Sequence, residues 1–191
     1  MTTIFAFDTA TTATSCAVLR DGAVLGERLT DARSVTAAAD ELLREAGLEP
    51  GELDALVVGT GPGSFTSIRI GLATARGLAL ALGIPAAGVT TLAAFAGGTP
   101  VIDARRGEVF TEGPRVARPG ELEVEGARLL GDGAVRYRAI FEAAGASVPP
   151  DEDPGHRPAA ALLVPHAGPF GPADEIEPLY LRLPDAVTAS R

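Results

Sequence analysis

Asp8 ends a short apolar run, Ile4-Phe5-Ala6-Phe7, and is followed by Thr9-Ala10-Thr11-Thr12-Ala13-Thr14-Ser15. A carboxylate at a strand end, before a hydroxyl-rich turn, suits either a Mg²⁺-phosphate site or a cap on the turn's own backbone. Phosphate grips of that kind usually place glycine in the turn so that backbone wraps the anion. None occurs here between Asp8 and Gly22. The second candidate is Gly61-Pro62-Gly63-Ser64-Phe65-Thr66-Ser67-Ile68-Arg69-Ile70-Gly71, which follows the β-branched run Leu56-Val57-Val58. A strand that ends in a Gly/Pro turn and feeds a helix leaves several backbone N–H groups unpaired at one point. The block therefore either holds an anion, with Asp8, Thr9, Gly61, Gly63 and Ser64 as its residues, or lets two segments of protein approach closely.

Other chemistries find little footing. A P-loop needs Gly-x-x-x-x-Gly-Lys-Ser/Thr, and the block has no lysine. A dinucleotide fold needs a third small residue in phase and an acid about 20 residues on. Gly59-x-Gly61-x-x-Ser64 is partial, and the next acid is Asp103. Ser64 also suits a helix N-cap. His156 and His166 lie ten residues apart in Pro-rich sequence and read as surface histidines, so no metal site is expected. No Gly-x-Ser-x-Gly elbow occurs. Asp103-Ala104-Arg105-Arg106-Gly107-Glu108 is either an ion-paired turn or a means of presenting Arg105 and Arg106 to a ligand between domains.

These residues need elements to position them. Of 191 residues, 46% are hydrophobic and 21% charged, a globular composition long enough for one large domain or two small ones. Ile4–Asp8, Ser15–Arg20 and Ala23–Leu29 read as strands, the last two joined at Asp21-Gly22, a strong hairpin signal. Val35–Ala46 reads as a helix with Val35, Ala39, Leu42 and Ala46 on one stripe and Gly47 as its stop. Leu53–Thr60 is a strand, Thr66–Leu82 a helix and Ala86–Val89 a short strand. The order β-β-β-α-β-α-β predicts a mixed sheet covered by helices. Two strands around Arg105-Arg106-Gly107 open a second half, and Tyr137–Ala144 suits one helix. Pro149–Gly155 is a loop. The proposed domains are 1–98 and 99–191.

The helix Thr66–Leu82 has no properly polar face, and Gly71 with Ala75 and Ala73 with Gly77 give small-residue pairs spaced by four. Such a helix must be covered on every side, by the Val35 helix or by another subunit. Arg69 and Arg76 flank its outward side, as interface residues or as solvated charges. The net charge of −9 argues against direct nucleic-acid binding. Cys16 is the only cysteine, which excludes an intramolecular disulfide and fits a reducing compartment. It suits a small buried side chain in its strand. The N-terminus lacks a basic leader, and Leu78–Val89 is broken by Gly83 and Pro85 and too short to cross a bilayer. The expectation is a cytoplasmic protein with no membrane contact.

Phe7-Asp8-Thr9, Gly61–Thr66 with Arg69-Ile70-Gly71 and Ala73–Leu78, Asp103–Val109 and Pro178-Leu179-Tyr180-Leu181-Arg182 together resemble the bacterial TsaB (YeaZ) family. The resemblance covers nearly all of 1–110 and returns at the C-terminus, while 113–175 match poorly and look shortened. It implies an α/β, actin/Hsp70-like (ASKHA) fold of two lobes, the second one shortened. It further implies a non-catalytic scaffold for TsaD, the transferase that forms N6-threonylcarbamoyladenosine at position 37 of tRNAs reading ANN codons. TsaE joins that assembly, and the chain alone would homodimerise through the same surface. Val35, Ala39, Leu42, Arg69, Ala73, Arg76 and Leu80 are the expected interface residues. The metal motif His-x-x-x-His of TsaD relatives has no counterpart in Ser34–Glu41. No cofactor is required on this reading, with weak ATP or ADP binding at Asp8 and the Gly61 block as a vestige. The alternative is an ATP-binding phosphotransferase or ATPase of the same superfamily. Two departures fall near the expected interface: Ser67 stands where the family would have glycine, and a His-Ser pair before the first helix is missing.

Overall fold

The computed structural model describes residues 1–182. The first sheet is built from β1 (Thr3–Asp8), β2 (Thr14–Arg20), β3 (Ala23–Thr30), β4 (Ala55–Gly59) and β5 (Ala86–Val89), in the order β3-β2-β1-β4-β5. β1 runs antiparallel to β2 and parallel to β4, so the sheet is mixed, as the element order predicts. The β2–β3 turn has Asp21 at φ 51° and Gly22 at φ 82°. Positive φ at both central residues matches the turn to the right-handed strand twist.

α1 (Val35–Glu45) and α2 (Phe65–Leu82) cover one face of this sheet. The main core lies there, with Phe5, Phe7, Leu56 and Val58 of the strands meeting Leu42 and Leu43 of α1 and Ile68 and Leu72 of α2. Ser64 caps α2 by accepting the Ser67 N–H at 3.4 Å, and Gly83 at φ 69° ends it in the left-handed conformation. Among the described residues, no α-helix covers the opposite face. Ala160 and Leu163, from a 3₁₀ stretch Ala160–His166, pack there on Ala6, Ala17, Leu19 and Val57.

The second sheet has the order β8-β7-β6-β9, from β6 (Thr99–Arg105), β7 (Glu108–Thr111), β8 (Arg115–Ala117) and β9 (Leu129–Leu130). It too is mixed, because β9 joins β6 parallel. α4 (Arg138–Ala143) is the one helix expected over Tyr137–Ala144, and a short helix not foreseen, α3 (Asp132–Arg136), precedes it. Tyr137, at φ −109° and ψ 21°, leaves helical geometry between them. The two sheets divide in sequence between β5, which ends at Val89, and β6, which begins at Thr99. Residues 160–176 return to the first sheet, where Gly171 pairs with Ala86 and Ala173 enters the main core.

His156 is a correction to the surface reading, since its side chain is buried. Its Nδ1 accepts the Gly131 N–H at 3.1 Å, and Nε2 lies 3.1 Å from the Pro149 carbonyl, to which it donates. The ring thus satisfies two buried backbone groups. His166 is exposed, as expected. Replacing His156 by leucine leaves both groups unpaired, at about 1–3 kcal/mol each. A thermal melt of His156→Leu should fall by about 2–4 °C per kcal/mol lost, and His166→Leu should melt with the parent.

Candidate functional site

β1 delivers Asp8 to a fully buried position. Its Oδ1 accepts the Ala10 N–H at 2.8 Å and its Oδ2 accepts the Thr91 hydroxyl at 2.6 Å. Thr91 Oγ1 in turn accepts the Gly61 N–H at 3.0 Å, and the Thr91 N–H donates to the Gly61 carbonyl at 2.7 Å. Both carboxylate oxygens are therefore used inside the protein, and the chain Asp8–Thr91–Gly61 ties the end of β1 to the start of the glycine block. Burial pushes the Asp8 carboxyl above its ordinary value of 3.8, against the pull of the Thr91 and Ala10 hydrogen bonds.

Asp8, the last residue of β1, and the two residues after it each meet a glycine. A Cβ on Gly59 would lie 1.7 Å from Asp8 Oδ2, one on Gly71 2.4 Å from Thr9 Oγ1, and one on Gly63 2.2 Å from the Ala10 carbonyl oxygen. Thr9 Oγ1 donates to the Ser67 carbonyl at 2.7 Å, and the Ser64 N–H donates to the Ala10 carbonyl at 2.7 Å. Of the two readings of the block, close approach of two segments is the one its geometry fits. Asp8, Thr9, Gly61 and Gly63 come together as predicted, but as packing and hydrogen bonds within the chain. Ser64 differs, lying exposed at the rim of a cavity of about 670 Å³. That cavity lies between the two sheets, with Thr12, Thr66, Asp103, Arg105 and Arg182 among its walls.

The Asp103 turn is ion-paired. Arg105 and Arg106 hold positive φ, and Asp103 lies 3.4 Å from Arg105 Nη1 and 3.0 Å from Arg136 Nη1. Arg105 also lines the cavity, so the turn serves as an ion pair and as a wall. Among the described residues, no group of three or more His, Cys, Asp or Glu side chains converges as metal ligands.

The interface residues divide in two. Val35, Ala39 and Leu42 are no more than 6% exposed and sit in the main core, so the expectation that they face a partner is corrected. The apolar stripe of α1 is what holds it to the sheet, and its outward face carries Thr36, Ala37, Asp40, Glu41 and Arg44. Arg69, Ala73, Arg76 and Leu80 of α2 are exposed, with Leu80 at 86%. Among the described residues α2 is thus covered on one side only, and the idea that α1 encloses it fails because α1 lies beside it on the sheet. In length and mean hydropathy, 1.2, α2 would suffice to cross a membrane, yet its inner side is seated in the core.

The two arginines are not simply solvated. Arg69 stacks over the Phe65 ring at 3.8 Å, and its Nε donates to the Tyr180 hydroxyl at 2.9 Å. Arg76 donates to the carbonyls of Ala173, Asp174 and Ile176 at 3.4, 3.4 and 3.0 Å. Phe65 and Tyr180 are the residues the sequence reading missed as working parts. The lone aromatic in the C-terminal motif Pro178–Arg182 is the available signal.

Comparison with known proteins places this geometry. A family model described as TsaD, tRNA N6-adenosine threonylcarbamoyltransferase, matches residues 31–122. A Mycobacterium tuberculosis protein is 39% identical over 207 residues, spanning 97% of this chain and 94% of that one. The TsaB of Bacillus subtilis, a tRNA threonylcarbamoyladenosine biosynthesis protein, is 38% identical over 122 residues, 57% of this chain and 53% of its own length. The solved structure of YeaZ from Pseudomonas aeruginosa superposes with a TM-score of 0.76 at 26% identity, covering 95% of this chain and all of that one. The chain belongs to the TsaB (YeaZ) family. The two-lobed ASKHA-type fold expected from the resemblance is the fold observed, and this member of the TsaB family has a small second sheet. The stretch matched in the Bacillus TsaB is about half of that protein.

The Asp8 latch predicts a pH signature. The folded carboxyl binds its proton more tightly than the unfolded one, so its contribution to stability is fully present below 3.8 and is lost as pH rises through the raised folded value. Denaturant unfolding of the parent should show this fall in stability, and Asp8→Asn should lack it. A parent curve that instead gains stability across that window from Asp8 would contradict the burial argument.

Proposed function

We propose that this chain serves the formation of threonylcarbamoyladenosine in tRNA as a non-catalytic docking subunit for TsaD. One observation carries the proposal: α2 presents Ala73, Gly77, Leu80 and Ala81 to solvent, an apolar strip with Arg69 and Arg76 at its side. An exposed apolar strip on a helix that is otherwise firmly seated is a surface for another protein. The names of the relatives supply the pathway, and the match to a TsaD family model over 31–122 supplies the reason for the partner. Paralogous chains can meet through equivalent helices in a pseudo-symmetric contact, and in the absence of TsaD two copies of this chain would meet through the same strip. TsaE would join the paired subunits. With a net charge of −9, tRNA contact falls to the partner.

A second reading, weak ATP or ADP binding, draws on the cavity beside Ser64 and Thr66. Asp8 has no part in it, because both of its oxygens are engaged in the interior.

Light scattering on a sizing column should show a one-to-one complex with TsaD from the same organism. Ala73→Glu and Leu80→Glu should abolish it while leaving the thermal midpoint of the free chain unchanged. Unaltered association in both variants would remove α2 as the docking helix. For the nucleotide, calorimetry with Mg-ATP should give weak, saturable heat that disappears in Thr66→Val, and a flat titration would dismiss that reading.

A further inference from the structure

The segment from Ala173 to Arg182 is fastened at both of its ends and in its middle. At its start, Arg76 on α2 holds the carbonyls of Ala173, Asp174 and Ile176. In the middle, the Leu179 N–H donates to the Thr60 carbonyl at 2.8 Å. Tyr180 packs on Phe65 with ring centroids 4.7 Å apart and accepts the Arg69 Nε–H. At its far end the segment leaves α2 for the second sheet. Leu181 packs with Ile102, Ala104 and Phe110, and Arg182 Nη1 lies 2.8 Å from Glu108 Oε2. Leu179 through Arg182 line the cavity between the sheets.

We propose that residues 173–182 form a strap that couples the outward face of α2 to the width of this cavity. The proposal rests on the docking role assigned to α2 above and adds a consequence for the cleft. The side chains that hold the strap, Arg69 and Arg76, are the same ones that border the exposed strip. A protein docking on that strip competes for these arginines or tightens their grip, and either change moves a segment whose other end is bonded to the second lobe. Besides the strap, two single-strand crossings join the sheets, one near Gly97-Gly98 and one near Arg157-Pro158, with a 3.3 Å hydrogen bond from the Thr12 hydroxyl to Asp132. Leu92 and Phe95 also make an apolar contact with Ile102, Ala104 and Phe110. Gly97 holds φ 84°, and Arg128 fastens that crossing, its Nη1 donating to the Gly97 carbonyl at 3.0 Å and its carbonyl accepting the Thr99 N–H at 2.8 Å. Of these connections, the strap is the one that is bonded both to the arginines bordering the exposed strip and to the second sheet.

Spin labels on Arg33→Cys and Glu112→Cys, both exposed, outside α2 and not themselves in the cavity wall, read the separation of the lobes by electron–electron double resonance. Cys16 stays unlabelled, being buried with its thiol pushed up to about 12. The parent should give one narrow distance, and Tyr180→Ala and Arg182→Ala should each broaden it and shift it outward. Adding TsaD to the parent should also change the distribution. Distances in both variants that match the parent overturn the strap. A one-to-one TsaD complex with an unchanged distribution overturns the coupling while leaving docking intact. If TsaD does not bind at all, the docking reading falls, and the two variants alone decide whether the strap holds the lobes.

Discussion

The buried chain of hydrogen bonds from Asp8 through Thr91 to Gly61 is the constraint on which the rest of the molecule depends. A carboxylate taken wholly out of water is tolerated only when its oxygens are satisfied, and here each has a donor. The two donors come from the turn after β1, at Ala10, and the turn after β5, at Thr91, and Thr91 in turn accepts from Gly61 in the turn after β4. The latch thus fixes three strand ends relative to one another. The glycines at 59, 63 and 71 then let Asp8, Thr9 and Ala10 settle against β4 and α2 at backbone distance. α2 takes its place on the sheet from these close contacts, and its apolar pattern is not what orients it.

That independence explains why α2 is poorly amphipathic. In an ordinary surface helix, the polar face shows which side meets water. In α2, Gly71 and Ile68 are committed inward by contacts with Thr9 and the core, which leaves Ala73, Gly77 and Leu80 free to be apolar and exposed. The same logic assigns α1 a different duty. Val35, Ala39 and Leu42 anchor it, and its exposed side is charged, with Arg28 of β3 paired to Glu41 and Glu45.

What could be read in advance follows the range of the interaction. The Asp21-Gly22 hairpin, the Ser64 cap and the limits of α2 depend on neighbours within a few residues, and all were legible. The stripe on α1 was legible as a stripe, but its direction was not, because amphipathic periodicity marks a face without saying what covers it. His156 was misjudged because its partners, Gly131 and Pro149, lie in another turn and another loop of a Pro-rich region with no periodicity. α3 is only five residues long, too short to show a helical period in the sequence. The Arg69–Tyr180 bond joins residues 111 apart in sequence, and only the fold brings them together. The return of 160–176 to the first sheet left no pattern at all, since 3₁₀ turns carry neither of the two regular periods.

That return has a bearing on how the chain is made. During synthesis, β1 to β5 and both long helices leave the ribosome before residue 90, and their helix-covered face can close at once. The other face, with Ala6, Ala17, Leu19 and Val57, waits for Ala160 and Leu163. Some seventy residues, including the whole second sheet, must be translated before that apolar surface is covered. A nascent chain of this protein therefore spends several seconds, at about 5–20 residues per second, with one side of its first sheet bare. Chaperone demand would be set by this interval, and the cover comes from nearly the last part of the described chain to be made.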